Sequence, residues 1–363
     1  MTVDAGTPGQ APPGALMAAE IADQPRMLAA MLERASEFAA VADVITRRRP
    51  RFVLLAARGT SDHAALYAKY LAEIELGLPA GLVSPSSMTH YGARPDLTEV
   101  LFVAVSQSGA SPDLAESLAV ARGCGAMTVA VTNVEGSDLD LAAEFPVRLG
   151  AGPERAVAAT KTYTAQLLAL YLLLSGASSA SAAPRAVALP TSAAARAAAL
   201  PTLAAETLDR AGAAHAAAAR YRYATRLITT GRGYSYPTAR EGALKLMETS
   251  YLSAHAFSCA DLLHGPMAMV DREVPVIAVH SPGRGGDAAA PVIEQLRATG
   301  ADVLEVGAAA GPDGLSVAAG ALGEQLLPIL EIMPLQQLAW RLAINKGEDP
   351  DRPRGLSKVT MTR

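Results

Sequence analysis

The chain has 363 residues, half of them hydrophobic, a length that suggests two domains of ordinary size with sizeable cores. A formal charge of −4 gives no general attraction to nucleic acid, and two cysteines, Cys124 and Cys259, are too few for a disulfide framework. No HExxH-like pair, no secretory leader and no apolar run long enough to span a bilayer is visible, so the expectation is a cytoplasmic protein without metal, membrane or nucleic-acid partner. Residues 1–15, rich in Pro, Gly and small side chains, read as a disordered arm. A helical pattern covers Leu16 to Phe38 with a break at Pro25, and residues 16–45 are expected to form N-terminal helices. Strand Arg51–Ala57, helix Ser61–Leu76, strand Val100–Val105, a helix to Arg122, strand Met127–Val131 and helix Val157–Leu174 follow. Continuous apolar strands in this βαβ rhythm predict a parallel sheet covered on both faces, in a first domain over residues 46–176. The Ser/Ala/Pro-rich stretch from Ser175 to Pro201 has neither periodicity, and 177–205 reads as a linker. The rhythm resumes over 206–345, with strands Arg226–Thr230, Val274–Val279 and Ala301–Val306 and helices Thr238–Leu252, Pro291–Thr299 and Pro334–Asn345. Residues 346–363 form a tail.

The two halves repeat. At an offset of 174 residues, Arg58-Gly59-Thr60-Ser61 matches Arg232-Gly233-Tyr234-Ser235, and Val103–Gly109 matches Ile277–Gly283. The copies differ in the loop after the second strand: Ser106-Gln107-Ser108-Gly109 in the first half, His280-Ser281-Pro282-Gly283 in the second. A ligand held by this loop in the first half has no equal site in the second.

Three loops of the first half are rich in hydroxyls: Thr60-Ser61, Ser106-Gln107-Ser108-Gly109-Ala110-Ser111, and Ala158-Ala159-Thr160-Lys161. They fall at strand ends or helix starts, where a parallel sheet forms its ligand crevice. Hydroxyls beside helix-N-terminal N–H groups suit a phosphate. Taken alone, any one of these loops reads more readily as a helix cap; the Ser-Gln-Ser-Gly loop at a buried strand's end, joined by Thr-Ser, favours phosphate. There is no GxxxxGK[ST] and no GxGxxG with a suitably spaced acid, so no nucleotide cofactor is expected. In the second half Glu241, Lys245 and Glu248 share one helix face. A surface ion-pair ladder is the ordinary reading. The apolar neighbours Ala243, Leu244, Leu246 and Met247 leave little solvent face, and a half-buried Glu beside a Lys can act as a general base. His264, before Gly265-Pro266, reads equally as a structural histidine or an acid–base group.

With these motifs the chain resembles the sugar isomerase (SIS) domain family, including the isomerase half of glucosamine-6-phosphate synthases and stand-alone aminosugar-6-phosphate deaminases. The resemblance runs from about Met17 to the C-terminus. It rests on Arg58-Gly59-Thr60-Ser61, Ser106-Gln107-Ser108-Gly109, Ala159-Thr160-Lys161, Gly231-Arg232-Gly233-Tyr234, Glu241-Gly242-Ala243-Leu244-Lys245, His264-Gly265-Pro266 and the tail Arg352–Lys358. It implies two tandem SIS domains, each a parallel five-stranded sheet flanked by helices in a flavodoxin-like three-layer α/β sandwich. It implies a small-molecule sugar phosphate as ligand, no cofactor, and a homodimer with a shared active site. Phosphate binding falls to Thr60, Ser61, Ser106, Gln107, Ser108 and Ser111, and sugar contacts to Val157 and Ala159. Glu248 moves the proton between C1 and C2 with Lys245 in support. His264 of the neighbouring subunit opens the ring, and Lys358 closes over the sugar.

No N-terminal Cys or glutaminase segment precedes Leu16 in this sequence. Release of ammonia from glucosamine 6-phosphate, giving fructose 6-phosphate, is therefore expected over synthesis from glutamine. Leu252-Ser253-Ala254-His255 replaces the family's Ile-His-Ala-Glu, and Asp261-Leu262-Leu263 replaces its acid-then-Lys. These departures keep open a dehydratase that expels the C3 hydroxyl of N-acetylglucosamine 6-phosphate, and a deglycase of glycated amines is a further option. A sugar-phosphate sensor is disfavoured, because no helix-turn-helix extension is visible and Glu248, His264 and Lys358 are all retained.

Overall fold

Each half of the chain folds around one parallel sheet. The computed structural model describes residues 11–178 and 192–359, and three helices come first: α1 (Ala15–Ala22), α2 (Gln24–Glu33) and α3 (Ala35–Arg48). The first half continues with β1 (Phe52–Ala56), α4 (Thr60–Leu71), β2 (Ala80–Leu82), α5 (Pro85–Thr89) and β3 (Val100–Ser106). It ends with α6 (Pro112–Gly123), β4 (Met127–Thr132), α7 (Asp138–Ala142), β5 (Phe145–Arg148) and α8 (Lys161–Ser178). After α9 (Ala193–Ala197), α10 (Leu200–Leu208) and α11 (Ala211–Arg220), the second half opens with β6 (Arg226–Gly231), α12 (Ser235–Ser250), β7 (Ser253–Ser258) and α13 (Cys259–Leu263). It closes with β8 (Val276–Val279), α14 (Arg284–Ala298), β9 (Val303–Gly307), β10 (Leu315–Ser316) and α15 (Pro328–Lys346).

The sheets run β2-β1-β3-β4-β5 and β7-β6-β8-β9-β10, with every pairing parallel. Both orders are the same, and the offset of 174 carries β1, β2, β3 and β4 onto β6, β7, β8 and β9. The repeat is thus structural as well as sequential. Both sheets change winding direction between their first and third strands, which is where an open α/β sheet leaves its ligand crevice. Strands β3 and β4 are buried along almost their whole length, since helices cover both faces; hence they read as unbroken apolar runs. The edge strands gave no such signal. β2 has three residues, β10 has two, and β7 exposes Ser253 and His255.

Helix α8 is buried on all sides from Lys161 to Ser175 and packs against α3 and α4, while α12 packs against α15 and α4. A buried amide network ties these layers together: Gln24 Nε2 donates to Gln336 Oε1 at 2.9 Å, and Gln336 Nε2 donates to the Thr160 carbonyl at 3.1 Å. The expected helix Leu16–Phe38 is instead three helices, with Pro25 in the first turn of α2, the position a proline tolerates. The second half of the expected linker is helical, in α9 and α10; residues 179–191 lie outside the described residues, as do 1–10 of the expected arm. Pro291 and Pro334 do not start their helices, which begin earlier at Arg284 and Pro328.

The tail is pinned to the start of the chain. Asp349 accepts the Gly14 N–H at 3.0 Å, and Asp351 accepts those of Leu16 and Met17 at 2.9 and 2.8 Å. Two distant carboxylates therefore cap the N-terminus of α1.

Candidate active site

A cleft of about 300 Å³ opens at the carboxyl ends of β1 and β3. Thr60, Ser61, Ser106, Gln107, Ser108 and Ser111 all line it. The hydroxyls do not serve as simple helix caps: neither α4 nor α6 has a side-chain cap bond, although Ser111 is the capping position of α6. Ser106 Oγ accepts the Gly109 N–H at 3.2 Å, Ser108 Oγ accepts the Ala110 N–H at 3.3 Å, and Ser61 Oγ accepts from Gln166 Nε2 at 2.9 Å. Accepting leaves each hydroxyl its own proton to give. Arg58 ties the two loops together by donating to Asp113 of α6 at 2.8 and 3.0 Å. Gly109 makes the tight turn: its φ is 63°, and a Cβ there would lie 2.0 Å from Ser137 Oγ.

The other wall comes from the second half. Lys245 and Glu241 have no exposed side-chain surface, and Glu248 keeps 22% of its own, facing the cleft. Lys245 Nζ donates to Glu248 Oε2 at 2.5 Å and to Thr60 Oγ1 at 3.0 Å, and lies 3.3 Å from Glu241 Oε1. Burial alone would lower the Lys245 ammonium; the charges of Glu241 and Glu248 outweigh it and hold the group well above its ordinary range. Thr60 Oγ1 donates to Glu241 Oε1 at 3.0 Å, so its single proton is committed inside this cluster. The row Glu241, Lys245, Glu248 is thus no surface ladder but, as its apolar neighbours suggested, a buried ion-pair cluster that presents one carboxylate, Glu248, to the cleft.

The tail and the loop before α8 complete the rim. Val157 and Ala159 line the cleft, as do Leu356, Ser357, Lys358 and Val359. Lys358 Nζ donates to Glu154 Oε2 at 3.0 Å and to the Ala156 carbonyl at 2.7 Å. Glu154, fully buried, also accepts the N–H groups of Thr160 and Thr162 at 2.9 and 3.0 Å and the Thr162 hydroxyl at 2.6 Å. Burial would raise this carboxyl, but the Lys358 charge and these donors hold it below the usual range. Glu154 thus takes the N–H groups of Thr160 and Thr162 on either side of Lys161, where α8 starts, and Val157–Thr160 form a loop where helix was expected.

Among the described residues, the matching place in the second half is occupied by the chain's own side chains. The first turn of α14 donates the Arg284 and Gly285 N–H groups to the Glu324 carboxylate at 2.9 and 2.8 Å. Ser281 and Ser235, at the repeat positions of Gln107 and Ser61, donate to buried Glu331 at 2.6 and 2.9 Å. Two carboxylates of the chain itself fill the place where the first half has its cleft.

Of the expected site residues, all but two line this cleft. Lys245 lies directly behind Glu248. His264 is exposed at the end of α13 and does not line the cleft of its own chain. The departures Ser253 and His255 line a separate cavity of about 500 Å³, together with Asp62, His63 and Arg240. Four polar residues were missed: Glu154, Gln166, Arg58 and His63. Only Arg58 sat in a quoted motif; the Gly152-Pro153 before Glu154 is a local loop signal, but nothing local links Glu154 to Lys358.

A two-lobed α/β molecule with a hydroxyl-lined crevice in one lobe matches a known family. The model of the SIS domain matches residues 48–176 and 221–308. The chain belongs to the SIS domain family. Among curated relatives, glutamine–fructose-6-phosphate aminotransferase (isomerizing) of Methanothermobacter thermautotrophicus is 34% identical over 84% of this chain and 51% of its own length. That of Aquifex aeolicus is 32% identical over 94% of this chain and 57% of its own length. The chain spans about half the length of these relatives. Among solved structures, a candidate phosphosugar isomerase from Silicibacter pomeroyi DSS-3 is 32% identical with a TM-score of 0.81, covering 92% of this chain and 99% of that one. The C-terminal domain of glucosamine-fructose-6-phosphate aminotransferase from Francisella tularensis is 26% identical with a TM-score of 0.79, covering 96% and 100%.

Proposed function

We propose that the protein is an enzyme that binds an aminosugar 6-phosphate, opens its ring and moves the C2 proton, converting glucosamine 6-phosphate into fructose 6-phosphate and ammonia. One observation carries the reading: a single partly exposed carboxylate, Glu248, backed by a buried ammonium, faces the same cleft as the hydroxyl cradle. The cradle of Ser61, Ser106, Gln107, Ser108 and Ser111 holds the phosphate, and Thr60 links it to the Lys245 cluster. Val157, Ala159 and Lys358 hold the sugar. His264 of a second copy opens the pyranose, which leaves C1 as an aldehyde and makes the C2 proton acidic. Glu248 takes that proton and returns it to C1. The enolamine becomes a ketimine at C2, and water hydrolyses it to the ketone and ammonia. Relatives of the chain carry names of sugar-phosphate aminotransfer and isomerisation, which supports this substrate class. Ser253 and His255, the departures that kept dehydration open in the sequence, face the other cavity, and this supports deamination over loss of the C3 hydroxyl.

The test incubates the protein with glucosamine 6-phosphate in heavy water and follows ammonia, fructose 6-phosphate and deuterium at C1 and C2. Equal amounts of ammonia and ketose are expected, with Glu248→Gln slower by roughly 10²–10⁴-fold. Loss of water from N-acetylglucosamine 6-phosphate without ammonia would replace the deaminase by a dehydratase. Absence of proton exchange from either sugar would remove the proton-transfer role of Glu248 altogether.

A further inference from the structure

The hydrogen-bond chain that ends on Glu248 begins outside the cleft. His63, on α4, is buried, and its Nδ1 lies 2.7 Å from Glu241 Oε2. A carboxylate only accepts, so this nitrogen carries the hydrogen. The other oxygen of Glu241 takes the Thr60 hydroxyl at 3.0 Å and faces Lys245 Nζ at 3.3 Å, and Lys245 reaches Glu248 at 2.5 Å. His63 lines the second cavity, whereas Glu248 lines the cleft. The proposed chemistry has so far used neither His63 nor Glu241.

A buried ammonium between two carboxylates can lean toward either one. With Glu241 turned away, Lys245 would pair with Glu248 alone and make it a poorer base. His63 prevents that turn, because it occupies the oxygen of Glu241 that Lys245 and Thr60 do not use. It also fixes where the Thr60 proton points, and Thr60 stands at the edge of the phosphate cradle. We propose that His63 is a positioning residue: by locking Glu241 it makes Lys245 divide its charge between two carboxylates and sets Glu248 as a base. This rests on the reading of Glu248 as the proton carrier.

The measurement is exchange of the C2 proton of glucosamine 6-phosphate with heavy water, beside the affinity for inorganic phosphate by titration calorimetry. His63→Ala should lower kcat by roughly tenfold or more, with KM and phosphate affinity changed by less than about threefold. His63→Asn, whose amide lies where Nδ1 lay, should recover most of the loss. His63→Gln, whose amide lies where Nε2 lay, should not; this pair carries the test if the alanine variant does not fold. Equal rates for the Asn and Gln variants, or a loss confined to KM, would overturn the proposal. Glu248→Gln is the control in the same assay. If it keeps exchanging, the reading of Glu248 fails; if it is dead while His63→Ala turns over normally, only the positioning role fails.

Discussion

Lys245 shows how much one buried charge commits a site. Its ammonium has no exposed surface and is compensated by Glu241 and Glu248. Replacing it by methionine keeps the volume but leaves Glu241 charged and buried without its cation, so Lys245→Met should cost about 3–5 kcal/mol of stability. The lysine is raised in the folded state, so its contribution is fully present below the ordinary lysine range and is lost only as pH rises through the raised value. The cost measured by denaturant unfolding should therefore be flat between about pH 6 and about pH 9. A cost that shrank across that window would mean the amine is not held charged. The cluster was legible in the sequence, because three- and four-residue spacing fixes a shared helix face and apolar neighbours signal burial. Glu154 was not legible: its partner Lys358 lies 204 residues away, and no local pattern records a pair formed only by the fold.

At the scale of elements, the two loops that follow the third strands differ: the first lines the cleft, and the second leads into N–H groups already taken by a carboxylate of the chain itself. Glu324 puts a carboxylate on the N–H groups of Arg284 and Gly285, and a Cβ on Gly285 would lie 2.6 Å from it. Glu324→Ala should cost about 1–2 kcal/mol, since a helix N-terminus loses its anion. The variant should also gain more thermal stability from inorganic phosphate than the wild type does; an equal gain would show that no anion cradle lies under the carboxylate. Glu331 beside it behaves differently. Burial drives its carboxyl up to about 7, against the lowering by Ser281 and Ser235. Because the folded value is raised, stability is full below the ordinary glutamate range and falls as pH rises toward that value, by about 1.4 kcal/mol per unit. Glu331→Gln lacks this loss, so its stability relative to wild type should rise by about 3 kcal/mol between about pH 4 and about pH 8. A pH-independent difference would place the carboxyl in water. The central strands β1, β3, β4, β6, β8 and β9 were legible because both faces are buried. The edge strands were missed because they are short or half solvated, and the two prolines hid the true starts of α14 and α15.

For the molecule as a whole, the offset of 174 residues already divided the chain into two lobes, and the structure bears that division out in strand order. The cleft between the lobes has a base candidate, hydroxyls and the tail, yet its lining contains no histidine among the described residues. The proposed ring opening needs an acid–base group near the ring oxygen, and His264 stands exposed at the far end of α13 with its backbone N–H on the Asp261 carbonyl at 3.0 Å. A second copy that brings His264 to the cleft would supply the missing group and make the active unit a dimer. Two variants then separate this arrangement from any in which one chain suffices. Glu248→Gln and His264→Asn should each be inactive alone. Mixed and allowed to exchange subunits, half of the dimers become hybrids, and each hybrid has one site with both native groups. About one quarter of wild-type activity should return. Sedimentation analysis of the mixture checks that dimers form and exchange. If they do and no activity returns, His264 does not act across the interface, and ring opening belongs to another residue.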